Sequence, residues 1–201
     1  MNEYQRDICK DNRIIYIRGE ITQHVVFDVV LALKELENDD PKADILMYID
    51  SIGGFCDSFL AIHDAMKMCV CDVATICLGR ALSCGQMLLM SGTKGKRFIS
   101  QNSRIMLHAI SDELSGYIHD IENSVVETRR MQSIFEKMIA KYTHMTIKQA
   151  KQMMLKDNYL SPTEALKLGL VDVIIKKPED LYGRLFQPEK PDEQIYTMIE
   201  G

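Results

Sequence analysis

Two short stretches carry the residue types of a nucleophilic reaction. Gly79-Arg80-Ala81-Leu82-Ser83-Cys84-Gly85 puts a serine on a turn of small residues, directly before the apolar run Gln86-Met87-Leu88-Leu89-Met90. Arg104-Ile105-Met106-Leu107-His108 ends an apolar strand on a histidine. A serine hydroxyl is a weak nucleophile until a base takes its proton, and histidine can do so at neutral pH. At the start of a helix, backbone N–H groups also face a developing oxyanion. The other reading of Ser83 is a plain helix cap, and this segment alone does not choose between the two. The pattern is not the Gly-x-Ser-x-Gly elbow of α/β-hydrolases, because Gly79 stands four residues before the serine. Gly53-Gly54 follows an apolar strand and reads either as a backbone donor pair near a reacting carbonyl or as an ordinary turn. Of the five histidines, His24, His63, His119 and His144 fall on amphipathic helical patterns and read as surface residues. Only His108 ends an apolar strand. Asp157 is one acid among many, but it sits at an irregular bend before a capped helix, where a carboxylate could orient an imidazole.

The elements that must position these residues alternate. Strands are predicted at Arg13–Gly19, Asp44–Asp50, Val73–Gly79, Arg97–Ile99, Arg104–Leu107 and Val171–Ile175. Helices are predicted at 23–38, 56–69 and after the serine turn, from apolar positions recurring at helical spacing. Ser51-Ile52-Gly53-Gly54 is expected to turn. The near-continuous apolar strands predict an α/β fold with a mainly parallel sheet and right-handed crossovers. From Tyr117 to about Thr143 the chain has no glycine or proline, and apolar residues from Ile118 to Ile139 recur at helical spacing. A helix of that length is expected to project and meet another subunit; covering its own core is the alternative. Ser161-Pro162-Thr163-Glu164 has the signature of a capping box. The tail after Lys176 holds three of the five prolines and is expected to be loosely ordered.

With 201 residues, the chain suits one domain, and 46% hydrophobic and 26% charged residues are ordinary for a globular protein. A net charge of −5 argues against nucleic acid as the main partner. Lys94, Lys96 and Arg97 read as a solvated turn. The six cysteines mostly lie in apolar segments and read as buried free thiols, implying a reducing compartment rather than a disulfide framework. No metal-ligand spacing is present. The polar N-terminus is unlike a signal peptide, no apolar run is long enough to span a bilayer, and a cytoplasmic location is expected.

The motifs together resemble the proteolytic subunit of the Clp protease, the ClpP family of caseinolytic serine peptidases, over about residues 13–176. Asp44–Gly54 resembles the family's strand and Ser-Pro-Gly-Gly segment, and Ala81–Gly85 its Ala-Ala-Ser-Met-Gly turn. Gly92–Phe98 and Asn102–His108 resemble its Gly-Lys-Arg and Asn-Ser-Arg-x-Met-x-His segments, and Asp157–Ser161 the segment holding the family's aspartate. The resemblance implies a ClpP/crotonase-like fold of stacked ββα-type units in a single domain over 1–201. Its head would be 13–108 and 144–176, a projecting handle helix would lie in about 109–143, and a tail would follow at 177–201. It implies Ser83 as nucleophile, His108 as general base and acid, and Asp157 as orienting carboxylate. The backbone N–H groups of Gly54 and Cys84 would form the oxyanion hole. Substrates would be unfolded proteins or peptides, bound as a strand between Gly54–Phe55 and Ala109–Ser111. Partners would be copies of the chain in a heptameric ring or tetradecamer, and an AAA+ unfoldase that alone uses ATP; no cofactor, metal, nucleic acid or membrane is implied.

The chain departs from that pattern in places. Ile52 stands for the proline before the glycines, Cys84 for the methionine after the serine, and Lys156 for the arginine before the aspartate. Ala109–Gly116 stands for a glycine-rich strand. The segment before the first strand is short, so a reduced axial gating loop is expected. Four other readings stand beside this one: a non-catalytic ring subunit, a phage-type head-maturation protease, a crotonase-type acyl-CoA enzyme, and a serine–lysine peptidase. The crotonase-type enzyme needs no triad. The serine–lysine enzyme would need a lysine base where His108 and Asp157 suffice.

Overall fold

The computed structural model describes residues 8–9 and 12–185. Eight strands form one sheet: β1 (Ile8–Cys9), β2 (Ile14–Ile21), β3 (Ile45–Gly54), β4 (Val73–Leu82), β5 (Arg97–Ser100), β6 (Arg104–Leu107), β7 (Asn158–Leu160) and β8 (Val173–Ile175). The main order is β1-β2-β3-β4-β5-β8, while β6 pairs with β4 and β7 pairs with β6. The β1–β2 and β6–β7 pairs are antiparallel and the rest parallel. The described helices are α1 (Gln23–Asp39), α2 (Cys56–Met68), α3 (Cys84–Met90), α4 (Ile118–Tyr142), α5 (Ile147–Met153), α6 (Pro162–Leu168) and α7 (Pro178–Tyr182). This is the α/β architecture expected from the alternating pattern.

The apolar strand runs have a simple cause: the sheet is covered on both faces. One face holds the large core, where Ile15, Ile17, Met47, Ile49 and Cys77 meet α1, α2 and α3 through Leu33, Phe59 and Leu88. The other face holds a smaller cluster of Leu46, Ala74, Ile76, Phe98 and Val173, closed by Leu181 of α7. The start of the tail is therefore folded, contrary to the expectation of loose order after Lys176. Burial of Leu181 supplies the reason. Residues 1–7 and 10–11, on which the expectation of a reduced gating loop largely falls, and the tail beyond 185 lie outside the described residues.

Three further expectations change. Ser51–Gly54 is not a turn: β3 continues through it and pairs with β2 as far as Gly54↔Ile21. The glycines sustain the strand at φ values of +102° and +154°, which L side chains rarely adopt. Nor is the basic cluster at 94–97 simply a solvated turn. Arg97 is completely buried, and Lys96 bridges the carboxylates of Asp44 and Asp72 at 2.7 and 2.8 Å. Arg97 Nε and Nη2 donate to the two oxygens of Asp172 at 2.7 and 2.6 Å. Its Nη1 donates to Met90 O and Tyr142 O, the C-terminal ends of α3 and α4. Only a planar fork serves all these acceptors at once. His63 is also half-buried rather than a free surface residue, bonding Asp64 with one ring nitrogen and Tyr142 Oη with the other.

Helix α4 has 25 residues, and none before Phe135 is buried; Phe135, Glu136 and Ile139 dock its last turns. At the helical rise it is about 37 Å long. The N-terminal part carries exposed Ile118 and Val126, with Tyr117 just before it.

Burial alone would raise the Asp172 carboxyl, but the bonds and charge of Arg97, with Lys94 and the Gly95 N–H, hold it at about 2. A carboxyl held down in the folded state adds stability above its unfolded value of ~4. That contribution is lost as pH falls towards about 2. Asp172→Asn is expected to flatten the acid arm of the pH–stability curve over that interval. Asp172→Ala is expected to cost ~3–5 kcal/mol in urea unfolding at neutral pH, because the guanidinium is left buried and uncompensated. An unchanged acid arm in Asp172→Asn would assign the titration to another group.

Candidate active site

Strand β4 changes neighbours along one edge. Thr75–Cys77 pair with β5, whereas Arg80–Leu82 pair with β6. Between them Gly79 adopts φ +93°, and its N–H donates to Ser103 Oγ, which itself donates to Cys77 O. The bend carries the end of β4 onto β6, where the Ser83 N–H donates to Met106 O at 2.9 Å. On the far side of β6, Leu107 pairs with Asn158 of antiparallel β7. The next residues outward on that pair are His108 and Asp157. Three adjacent strands thus present Ser83, His108 and Asp157 at one end of the sheet.

Ser83 Oγ lies 2.8 Å from His108 Nε2. Ser83 does occupy the N-cap position of α3, but its side chain makes no capping bond. Its backbone has φ +52°, one of two such non-glycine values among the described residues. That left-handed conformation is costly for a side chain and typical of functional strain. On the other side of the imidazole, His108 Nδ1 stands 3.6 Å from Asp157 Oδ1. This is ion-pair range but too long for a hydrogen bond, and the Asp157 side chain is 63% exposed. Catalytic hydrogen bonds are often long in unliganded sites and tighten when substrate excludes water. Asn158 secures the approach to Asp157 by donating to the carbonyls of Met153 and Lys156.

Gly54 and Cys84 line the same cavity as Ser83 and His108, together with Cys56 and Met154. As the first residue of α3, Cys84 keeps an N–H with no intrahelical acceptor. Gly53 makes the close approach to the serine turn: a Cβ there would sit 2.7 Å from Ser83 Cβ and 3.2 Å from Cys84 N. A Cβ on Gly54 would strike the backbone of Ile21. Ser51 supports this end of β3, its hydroxyl donating to Gly19 O at 2.6 Å and accepting from Gly53 N–H at 3.1 Å. The segment Ala109–Ser111 is not in a strand, and its Ile110 N–H donates to Gln132 Oε1 of α4.

The other histidines stay away from this site. His24, His119 and His144 are exposed, and His144 lies between α4 and α5 rather than on a helix. Among the described residues, no group of His, Cys, Asp or Glu side chains is arranged to hold a metal ion. Cys56, Cys69, Cys71, Cys77 and Cys84 are free. No described helix is long and apolar enough to cross a membrane. Sequence reasoning overlooked Ser51, Gln132 and Cys56 at the site. Ser51 and Cys56 flank the glycine pair, and that position was the available signal; Gln132 had none.

A strained serine off a parallel α/β sheet, hydrogen-bonded to a histidine on the next strand, marks a hydrolase-like site. The model of the Clp protease family matches residues 2–178. The chain belongs to the Clp protease family and is a peptidase of the ClpP type.

The close packing of Gly53 on Ser83 can be tested directly. Gly53→Ala is expected to slow fluorophosphonate labelling of Ser83 by about 100-fold, the scale of a 1 Å misplacement. Gly95→Ala is the control, since Gly95 also has positive φ but nothing within 4 Å of its would-be Cβ. Equal labelling rates in the two variants would rule out the steric account.

Proposed function

We propose that this chain is a serine endopeptidase that cleaves unfolded proteins or peptides inside a ring of its own copies. The observation that carries the reading is the 2.8 Å contact of Ser83 Oγ with His108 Nε2, made by a serine that does not cap its helix. In the proposed reaction His108 takes the Ser83 proton as Oγ attacks the scissile carbonyl. Asp157 stabilises the imidazolium through Nδ1, and the N–H groups of Gly54 and Cys84 receive the oxyanion. His108 then protonates the leaving amine. A water activated by the same imidazole hydrolyses the acyl-enzyme. Each oxyanion donor is worth roughly 10²–10³ in turnover. No resident cofactor takes part, and ATP would be used only by a partner unfoldase.

The substrate is expected to add in extended form along Gly54–Phe55 by main-chain hydrogen bonds. The opposite rail, Ala109–Ser111, has Ile110 N–H bonded to Gln132, so substrate must displace Gln132 or use the other groups of that segment. Ring formation is supported by α4, whose N-terminal part leaves Ile118 and Val126 exposed. We place the enzyme in the cytoplasm, where free thiols persist.

Ser83→Ala is expected to abolish both fluorophosphonate labelling and hydrolysis of a fluorogenic peptide. Asp157→Asn is expected to lower turnover by ~10⁴ if the carboxylate fixes the imidazole tautomer. Persistent hydrolysis by Ser83→Ala would overturn the reading, and absence of labelling in the assembled native protein would make it a non-catalytic subunit. Native mass measurement is expected to give a heptamer or tetradecamer of the 23.0 kDa chain.

A further inference from the structure

The cavity beside Ser83 holds a second reactive pair that peptide hydrolysis does not use. Cys56 is the first residue of the 13-residue helix α2, and Cys84 follows Ser83 at the start of α3. Both are free, and both border the one cavity, of about 50 Å³, that Ser83 and His108 line. Cys84 is buried and Cys56 is half-buried, facing the same opening. A peroxide small enough to enter beside the serine therefore meets Cys56.

We propose that Cys56 and Cys84 are a redox modification site, closing to a reversible disulfide in response to a peroxide and shutting the Ser83 site. The inference rests on the serine peptidase reading for its effect, but not for its chemistry. Cys56 is the attacking thiol. The neighbouring Cys84 thiol lowers its pKa against burial and the charges of Asp57 and Asp112, and its place at a helix N-terminus favours the thiolate. Cys84 is the resolving thiol, its own pKa pushed up by the neighbouring Cys56 and by burial.

The Cys56 thiolate attacks one peroxide oxygen and the O–O bond breaks. The leaving oxygen takes the proton that the thiol lost and departs as water or an alcohol, leaving a sulfenic acid. The Cys84 sulfur then attacks the sulfenic sulfur, and its proton leaves with the hydroxide as a second water. Two thiols lose two electrons, and the peroxide is reduced. A dithiol such as dithiothreitol reverses the change by exchange.

The consequence for Ser83 follows from position. Cys84 directly follows Ser83, and Cys56 stands two residues beyond Gly54. A bond to Cys56 ties the segment after Gly54 to the residue after Ser83, the two segments that supply the proposed oxyanion donors.

The full-length protein, reduced and then treated with hydrogen peroxide, is digested and analysed by mass spectrometry, and in parallel labelled with a fluorophosphonate. A Cys56–Cys84-linked peptide is expected, with at least a tenfold loss of labelling that dithiothreitol restores. Cys56→Ser and Cys56→Ala are each compared before and after the same peroxide, and neither is expected to lose labelling. Methionine oxidation, which dithiothreitol does not reverse, would inactivate the variants as well. Absence of the linked peptide overturns the proposal, as does a linked peptide with undiminished labelling. If the reduced protein takes no probe at all, the peptidase reading falls, while the mass measurement still decides whether the disulfide forms.

Discussion

Strand β4 pairs with two different strands along one edge, and the bend at Gly79 that permits this determines where the proposed active site sits. Its first half belongs to the broad sheet, with β5 and β8 beyond it. Its second half keeps β3 on one side but takes β6 in place of β5 on the other, and β6 brings β7 with it. Without the change of neighbour, the serine at the end of β4 would stand beside β5, which ends at Ser100 and carries no base. Serine, histidine and aspartate, far apart in sequence, become neighbours through main-chain pairing. Their side chains need contribute nothing to bringing them together.

The bend needs an anchored frame, and Arg97 supplies it. One guanidinium joins β5, the C-terminal ends of α3 and α4, and the aspartate before β8. α3 is the helix that begins beside Ser83, and α4 is the helix whose docked turns contribute Phe135 to the cavity wall. The same interior point therefore holds both the helix behind the serine and the root of the long arm. The charge is buried but satisfied at each position, which is the condition for a buried ion pair to be tolerated.

Much of the fold was legible because the strands are buried on both faces, so that Ile45–Ile49 and Val73–Cys77 read as continuous apolar runs. Ser83 and His108 were legible for a related reason: each is a polar residue ending such a run. Asp157 was only weakly legible, since its place depends on the antiparallel register of β7 with β6, which no local pattern encodes. The extension of β3 through Gly53 and Gly54 was obscured because paired glycines usually signal a turn, and here they serve close packing against Ser83 and Ile21. Arg97 was misread among its basic neighbours. The clue was its place at the head of the apolar pair Phe98-Ile99, matched by Asp172 between Val171 and Val173.

The left-handed backbone of Ser83 has an evolutionary meaning. Glycine would adopt that conformation with less strain than serine does. At this position the fold and the proposed reaction favour different residues: the fold is eased by losing the side chain that the proposed nucleophile needs. Selection for stability alone would erode Ser83, and only use of its hydroxyl in the proposed reaction opposes that drift. A descendant of this chain that retained the scaffold but gave up catalysis is expected to record the change first at this residue.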